Sequence, residues 1–236
     1  MEPRRQTRHD CCSPSRIDFG GVSACAREEA RILAMSSPSP AFKIAFIGTH
    51  GVGKTTLCYG LAARLKKRDF SLEVVHEVAR RCPLPINRET SLASQSWILH
   101  TQIAEELTAQ ARYPVVICDR SALDNYVYLL LAAGSQSPLD SLVEHWMESY
   151  DLLFHVPIVT PPSADGVRAT DPTFQRAVEE RLVDELSTRD LAVSYLDRDG
   201  RDEWLHIAER KVLSRFQSPQ LRLPELDTDN HDESVQ

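Results

Sequence analysis

Apolar and polar positions along this chain follow two periods in turn. Short apolar runs, the pattern of strands buried on both faces, occur at residues 42–47 (FKIAFI), 71–75 (SLEVV), 115–118 (VVIC), 152–156 (LLFHV) and 191–196 (LAVSYL). Between them the spacing turns helical. Residues 55–67 form one such stretch, and Leu92, Ser96, Leu99, Ile103 and Leu107 fall on one face of a second, longer one. Residues 122–133 read as an apolar helix stopped by Gly134. Ser137-Pro138 sets a cap and a first-turn proline ahead of a helix running to about Tyr150. Asp171-Pro172 repeats that signal before the stripe Phe174, Val178, Leu182 and Leu186, and Trp204, Leu205, Ala208, Val212 and Phe216 mark a closing helix. Strands alternating with helices predict an α/β three-layer sandwich, a five-stranded parallel sheet covered on both faces. Right-handed crossovers then bring the carboxyl ends of the strands, and any ligand, to one edge.

Both ends break the pattern. Residues 1–40 carry six arginines and no lysine and close on SSPSP, so they read as a disordered N-terminal extension joined by a linker. Met35, just ahead of that linker, is an alternative natural start. Residues 217–236 read as a flexible acidic tail. That leaves residues 41–216 as one folded domain, long enough to bury a core without disulfides.

Composition narrows the function classes. A net charge of -7 argues against a broad cationic nucleic-acid surface, and no nucleic-acid partner is expected. No apolar stretch reaches about 18 residues, so no membrane span is expected. The six cysteines, Cys11, Cys12, Cys25, Cys58, Cys82 and Cys118, form no CxxC pair and no zinc spacing. Cys58 and Cys118 lie in apolar patterns and read as small buried hydrophobes. Arg4, Arg5 and Arg8 are not followed by the apolar core of a secretory signal, which points to reduced thiols and a cytoplasmic protein.

The sharpest chemical signal is GTHGVGKT, a G-x-x-x-x-G-K-T run between an apolar strand and a helix. Gly48, His50, Gly51, Val52, Gly53, Lys54, Thr55 and Thr56 are the candidate nucleotide-binding residues. Glycines let the backbone curl into a nest whose N–H groups face phosphate oxygens, and the next helix adds its positive end. Lys54 supplies a point charge for the β- and γ-phosphates, and the Thr55 hydroxyl is a magnesium ligand. ATP and Mg2+ are therefore the expected cofactors.

Four further positions belong to the same edge. Asp119 ends the run VVIC, where it either holds Mg2+ or caps the next helix. Arg120 either clamps an anionic or hydroxylated substrate or is a surface arginine. Glu77, just past the second strand, is either a base for an attacking hydroxyl or a solvated carboxylate paired with Arg80 or Arg81. Asp124 lies one turn after Arg120, so it reads as an i,i+4 ion-pair partner or a substrate contact. Residues 160–171 (TPPSADGVRATD) have the composition of a mobile flap; Arg168 is the candidate cation that closes over the phosphoryl group, with Arg176 second. Trp97, Trp146 and Trp204 sit at helical spacing and read as core.

In this order, IAFIGTHGVGKTT, VVHEVARR, VVICDRSALDNYVY and DGVRATDPTFQRAVEERL resemble the P-loop kinase-like ATPase domains related to the nicotinamide-riboside kinase domain of bacterial NAD regulators. They are more distantly similar to thymidylate and deoxynucleoside kinases. The resemblance covers residues 42–216 and implies a sheet order of 2-3-1-4-5. It assigns Lys54 and Thr55 to phosphate and magnesium, Glu77 to the base, Asp119-Arg120 to the acidic-Arg pair, and Asp165 and Arg168 to the lid. No nucleobase signature is recognisable.

The function expected is Mg2+- and ATP-dependent phosphorylation of a hydroxyl on a small nucleoside-like metabolite. The alternative is a nucleotide-binding regulatory module with slow hydrolysis. A guanine-type N-K-x-D reader and an ABC-type LSGGQ signature are both missing, which favours the kinase.

Overall fold

In the computed structural model, residues 41–86, 89–160 and 171–216 are described. Its strands are β1 (Phe42–Ile47), β2 (Leu72–Val75), β3 (Val115–Asp119), β4 (Leu152–His155) and β5 (Val193–Tyr195). They pair in the order β2-β3-β1-β4-β5, every neighbour parallel, as expected. The central strand β1 is buried from Lys43 onward. Its flanking registers, Phe46 opposite Asp119 and Ile47 opposite His155, bring the ends of β3 and β4 level with Gly48.

The helices are α1 (Lys54–Lys66), α2 (Leu92–Gln110), α3 (Ala122–Ala133), α4 (Ser137–Met147), α5 (Pro172–Thr188) and α6 (Trp204–Phe216). Strand side chains alternate between faces. Ile44, Phe46, Ile117 and Phe154 pack under α1 and α6 through Cys58, Leu61, Leu65, Trp204, Ala208 and Val212. Ala45, Ile47, Val116 and Cys118 pack under the other four helices through Leu99, Leu123, Val127, Val143, Leu182 and Leu186. Each fully buried leucine here contributes about 1.5–3 kcal/mol.

Three local expectations shift. β5 is shorter than residues 191–196. In α4 the N-cap is Gln136, Ser137 is already helical, and the helix stops at Met147. The largest change is in α2, whose inward face is Ser94, Gln95, Ile98, Leu99, Gln102, Glu106 and Ala109. Leu92 and Leu107 are exposed instead. The helix turns a partly polar stripe inward because the core supplies partners for it, which periodicity cannot register. The expectations for residues 1–40 and 217–236 lie outside the described residues.

Candidate functional site

The loop between β1 and α1 is shaped by backbone that L side chains rarely adopt. Gly48, Gly51 and Gly53 have φ of 142°, 80° and 100°. A Cβ on Gly48 would lie 2.6 Å from the Val156 carbonyl oxygen, so glycine is required there on two counts. Gly53 is the N-cap of α1 and no side chain caps that end, so the helix's first N–H groups point into the loop. Val52 tucks into the core beside Phe46 and Leu57 and anchors the loop.

Lys54 is buried, its Nζ donating to the carbonyls of Gly48 at 2.8 Å and Thr49 at 2.6 Å. Burial, then the nearby Arg120 charge, lowers its pKa from 10.5 to about 8, against the pull of Asp124, Asp119 and Glu77. Thr55 Oγ1 donates to Asp119 Oδ2 at 2.6 Å. A cleft of about 200 Å³ is lined by Gly51, Gly53, Lys54, Thr55, Thr56, Glu77 and Asp119.

The turn after β3 is the second half of the site. Asp119 does not cap α3; Ser121 does, in a capping box with Asp124. Asp124 Oδ2 accepts from Ser121 N and Oγ, and Oδ1 accepts from Gly48 N at 2.9 Å. Its carboxylate thus ties the start of the glycine loop to the start of α3. Arg120 is buried, not on the surface, with a φ of 94°. Its Nε and Nη2 donate to Glu77 Oε1 at 2.9 and 2.8 Å, and its guanidinium lies 5.1 Å from the Tyr128 ring centroid. Burial works against that charge, but Tyr128, Glu77, Asp124 and Asp119 hold it protonated more firmly than an ordinary arginine. Glu77, at the head of a 3-10 turn (Val78–Arg81), also accepts from Arg80 Nε at 2.8 Å.

Candidates from three separate chain segments therefore share one edge: the glycine loop, Glu77 and Asp119-Arg120. Asp165 and Arg168 lie outside the described residues. Arg176 is on an exposed position of α5. Trp204 is core; Trp146 and Trp97 are half-buried.

The sequence reading missed two residues of α5. Gln175 Nε2 donates to the His50 carbonyl at 2.9 Å, and Glu179 Oε2 accepts from Thr49 N at 3.3 Å while its Oε1 lies 2.8 Å from His155 Nε2. The His50 ring lies 5.8 Å from that of Phe174, and its Nδ1 lies 3.0 Å from the Tyr128 hydroxyl. Gln175 and Glu179, four apart, sit beside the apolar stripe Phe174 and Val178, which is the only local hint that they face inward.

Thr55 Oγ1 and Asp119 Oδ2 are adjacent hard oxygens facing the cleft, a donor pair that fits Mg2+ held jointly with phosphate oxygens and water. Among the described residues no cluster of three or more His, Cys, Asp or Glu can hold a metal, and no helix is long and apolar enough to cross a membrane.

Residues 43–203 match a family described as an AAA domain. No curated protein matches the chain. Among solved structures it is similar to thymidylate kinase from Ehrlichia chaffeensis, at 19% identity and a TM-score of 0.54, covering 74% of this chain and 99% of that one. At that identity the likeness is one of fold, a P-loop kinase-like α/β sandwich.

Proposed function

This chain belongs to the AAA domain family, and from that premise we propose that it is a Mg2+-dependent phosphotransferase moving the γ-phosphoryl of ATP to a hydroxyl of a small nucleoside-like metabolite. One observation carries the reading. Glu77 lines the same cleft as Gly51, Gly53, Lys54, Thr55 and Asp119, so a residue able to accept a proton adjoins the phosphate loop.

The loop amides and Lys54 bind the β- and γ-phosphates, and Thr55 with Asp119 would hold the metal, which offsets phosphate charge. The acceptor oxygen bonds to the γ-phosphorus as the bond to the β-γ bridging oxygen breaks, releasing ADP. The hydroxyl proton passes to Glu77. Arg120 fixes the Glu77 carboxylate through its paired bonds to Oε1. Arg168 on the 160–171 segment is the cation we assign to the transferring group, and cytoplasmic ATP is the donor pool.

A second reading, a regulatory module with slow hydrolysis, draws on a specific feature: Glu77 is held by two guanidiniums, Arg80 and Arg120. The test is ADP release from Mg-ATP with and without nucleosides and riboside cofactor precursors. Pyridine ribosides come first, given the resemblance to nicotinamide-riboside kinase domains. Acceptor-stimulated release supports the kinase. Release indifferent to every acceptor sinks it and supports the module.

A further inference from the structure

Lys43 is the second residue of β1 and its side chain is fully buried. Its Nζ donates to Glu106 Oε2 at 2.8 Å and lies 4.4 and 4.0 Å from the ring centroids of Trp146 and Tyr150. Glu106, on α2, is equally buried and accepts three more bonds: Trp146 Nε1 at 2.8 Å, the Tyr150 hydroxyl at 2.6 Å and Gln102 Nε2 at 2.9 Å. A buried ion pair is seldom more stabilising than apolar residues of the same volume, so one whose carboxylate accepts from four side chains invites a role beyond stability.

Its two exits supply that role. Gln102 Nε2 also reaches the Arg120 carbonyl at 3.4 Å, and Ala122 N donates to the Tyr150 hydroxyl at 3.0 Å. The peptide groups on either side of Ser121 are thus both moored to the Glu106 cluster. Arg120, whose carbonyl belongs to the first of these peptides, has the left-handed φ of 94°, a conformation that persists only where its surroundings enforce it. The orientation of the Gln102 amide is fixed, because its nitrogen faces two acceptors, while Oε1 has no hydrogen-bond partner among the described residues.

We propose that the Lys43–Glu106–Gln102 cluster, with Tyr150, is a positioning device that holds Arg120 in its strained conformation and so aims the guanidinium at Glu77. The inference rests on the phosphotransfer reading for its kinetic consequence but not for its geometry. Lys43 balances the Glu106 charge, Glu106 orients Gln102 and Tyr150, and those two grip the turn. None of the four is a catalytic residue.

The test uses the full chain carrying Gln102→Leu or Tyr150→Phe, each alone and combined with Arg120→Lys, with Gln102→Met as a near-isosteric second variant should Gln102→Leu fail to fold. The Nε–H resonance of Arg120, identified by its loss in Arg120→Lys, is slowly exchanging in the parent chain. In the Gln102 and Tyr150 variants it exchanges roughly tenfold faster or more. Acceptor-stimulated kcat falls roughly tenfold while the KM for ATP stays within about twofold, and the fall disappears in the Arg120→Lys background. Unaltered Arg120 Nε–H exchange in the variants overturns the proposal, and so does a kcat loss that simply multiplies with that of Arg120→Lys. If no acceptor is phosphorylated at all, the phosphotransfer reading fails, and the exchange measurement still decides the positioning claim.

Discussion

Lys54 gives the site a measurable pH response. In the folded protein its pKa is about 8, against an ordinary 10.5, with burial the largest cause. The gap corresponds to about 3 kcal/mol held against the charged form. A lysine with a lowered folded pKa destabilises the fold at every pH below about 8. Between about 8 and 10.5 the native lysine releases its proton while the unfolded one keeps it, so the destabilisation is relieved. A bound polyphosphate does the reverse: it demands the cation and draws the pKa back up. Nucleotide binding should therefore take up close to no proton at pH 7 and approach one at pH 9, with Kd rising roughly tenfold per pH unit above about 8. Calorimetry of Mg-ADP binding in two buffers of different ionisation enthalpy reads the proton count directly. Lys54→Arg, which stays charged, should flatten the dependence. In urea unfolding, the stability difference between the parent and Lys54→Met should move in the parent's favour by about 3 kcal/mol from pH 8 to 10.5. The buried thiols of Cys58 and Cys118 and the Tyr150 phenol, all pushed up by burial, act in the opposite sense but cancel in that difference. A Kd independent of pH from 7 to 9.5 with no proton uptake would refute the reasoning.

Glu77→Gln should lower acceptor-stimulated kcat about a hundredfold with the Kd for Mg-ATP within about threefold; an unchanged kcat removes Glu77 from the chemistry. Gly48→Ala meets both a φ of 142° and the Val156 carbonyl at 2.6 Å, whereas Gly53→Ala meets only a φ of 100° with open space around it. Urea unfolding should show a loss of about 3 kcal/mol or more for the first and about 1–2 kcal/mol for the second; equal losses would contradict the steric account. Asp119→Asn should raise the Mg2+ concentration for half-maximal nucleotide binding about tenfold or more, read by titration after chelation, and an unshifted midpoint would take Asp119 off the metal.

What could be read in the sequence was local. The run FKIAFI, the glycine spacing after it and the proline-marked start of α5 all declare themselves within a few residues. So did the sheet order, once four segments in sequence resembled a family. What could not be read depends on partners distant in the chain. The Lys43 ammonium and the Glu106 carboxylate meet across 63 residues, and only the lysine inside an otherwise buried strand hinted at a partner. Arg120 and Glu77 are 43 residues apart, and charge at a loop end gave no sign that the guanidinium would be buried. Asp124 is the instructive intermediate. Its S-x-x-D spacing from Ser121 is a local capping signal, but its position four after Arg120 suggested an ion pair instead. The cap forms because it satisfies two donors at a helix start, Ser121 N and Asp124 N, while the Arg120 guanidinium is paired with Glu77 instead.

The bonds across the candidate site divide it into parts that are tied directly to one another and parts that are not. Gly48 N to Asp124, Thr55 to Asp119 and Arg120 N to the Phe46 carbonyl at 3.2 Å join the glycine loop, β1 and the turn after β3 into one piece. The Glu106 cluster clamps that piece from within the core. Glu77 arrives from elsewhere, on a short turn after the edge strand β2, and its ion pair with Arg120 crosses to the turn after β3, whereas its pair with Arg80 stays within its own turn. α5 meets the loop through Gln175 and Glu179, at His50 and Thr49, while Gly51, Gly53, Lys54 and Thr55 line the cleft. In the proposed phosphotransfer, phosphate geometry would be set by the bonded piece, and the placement of Glu77 by a polar contact to a strained arginine. A substitution that relaxes Arg120 should consequently disturb proton transfer before it disturbs nucleotide binding, because only the former crosses the boundary between the two parts.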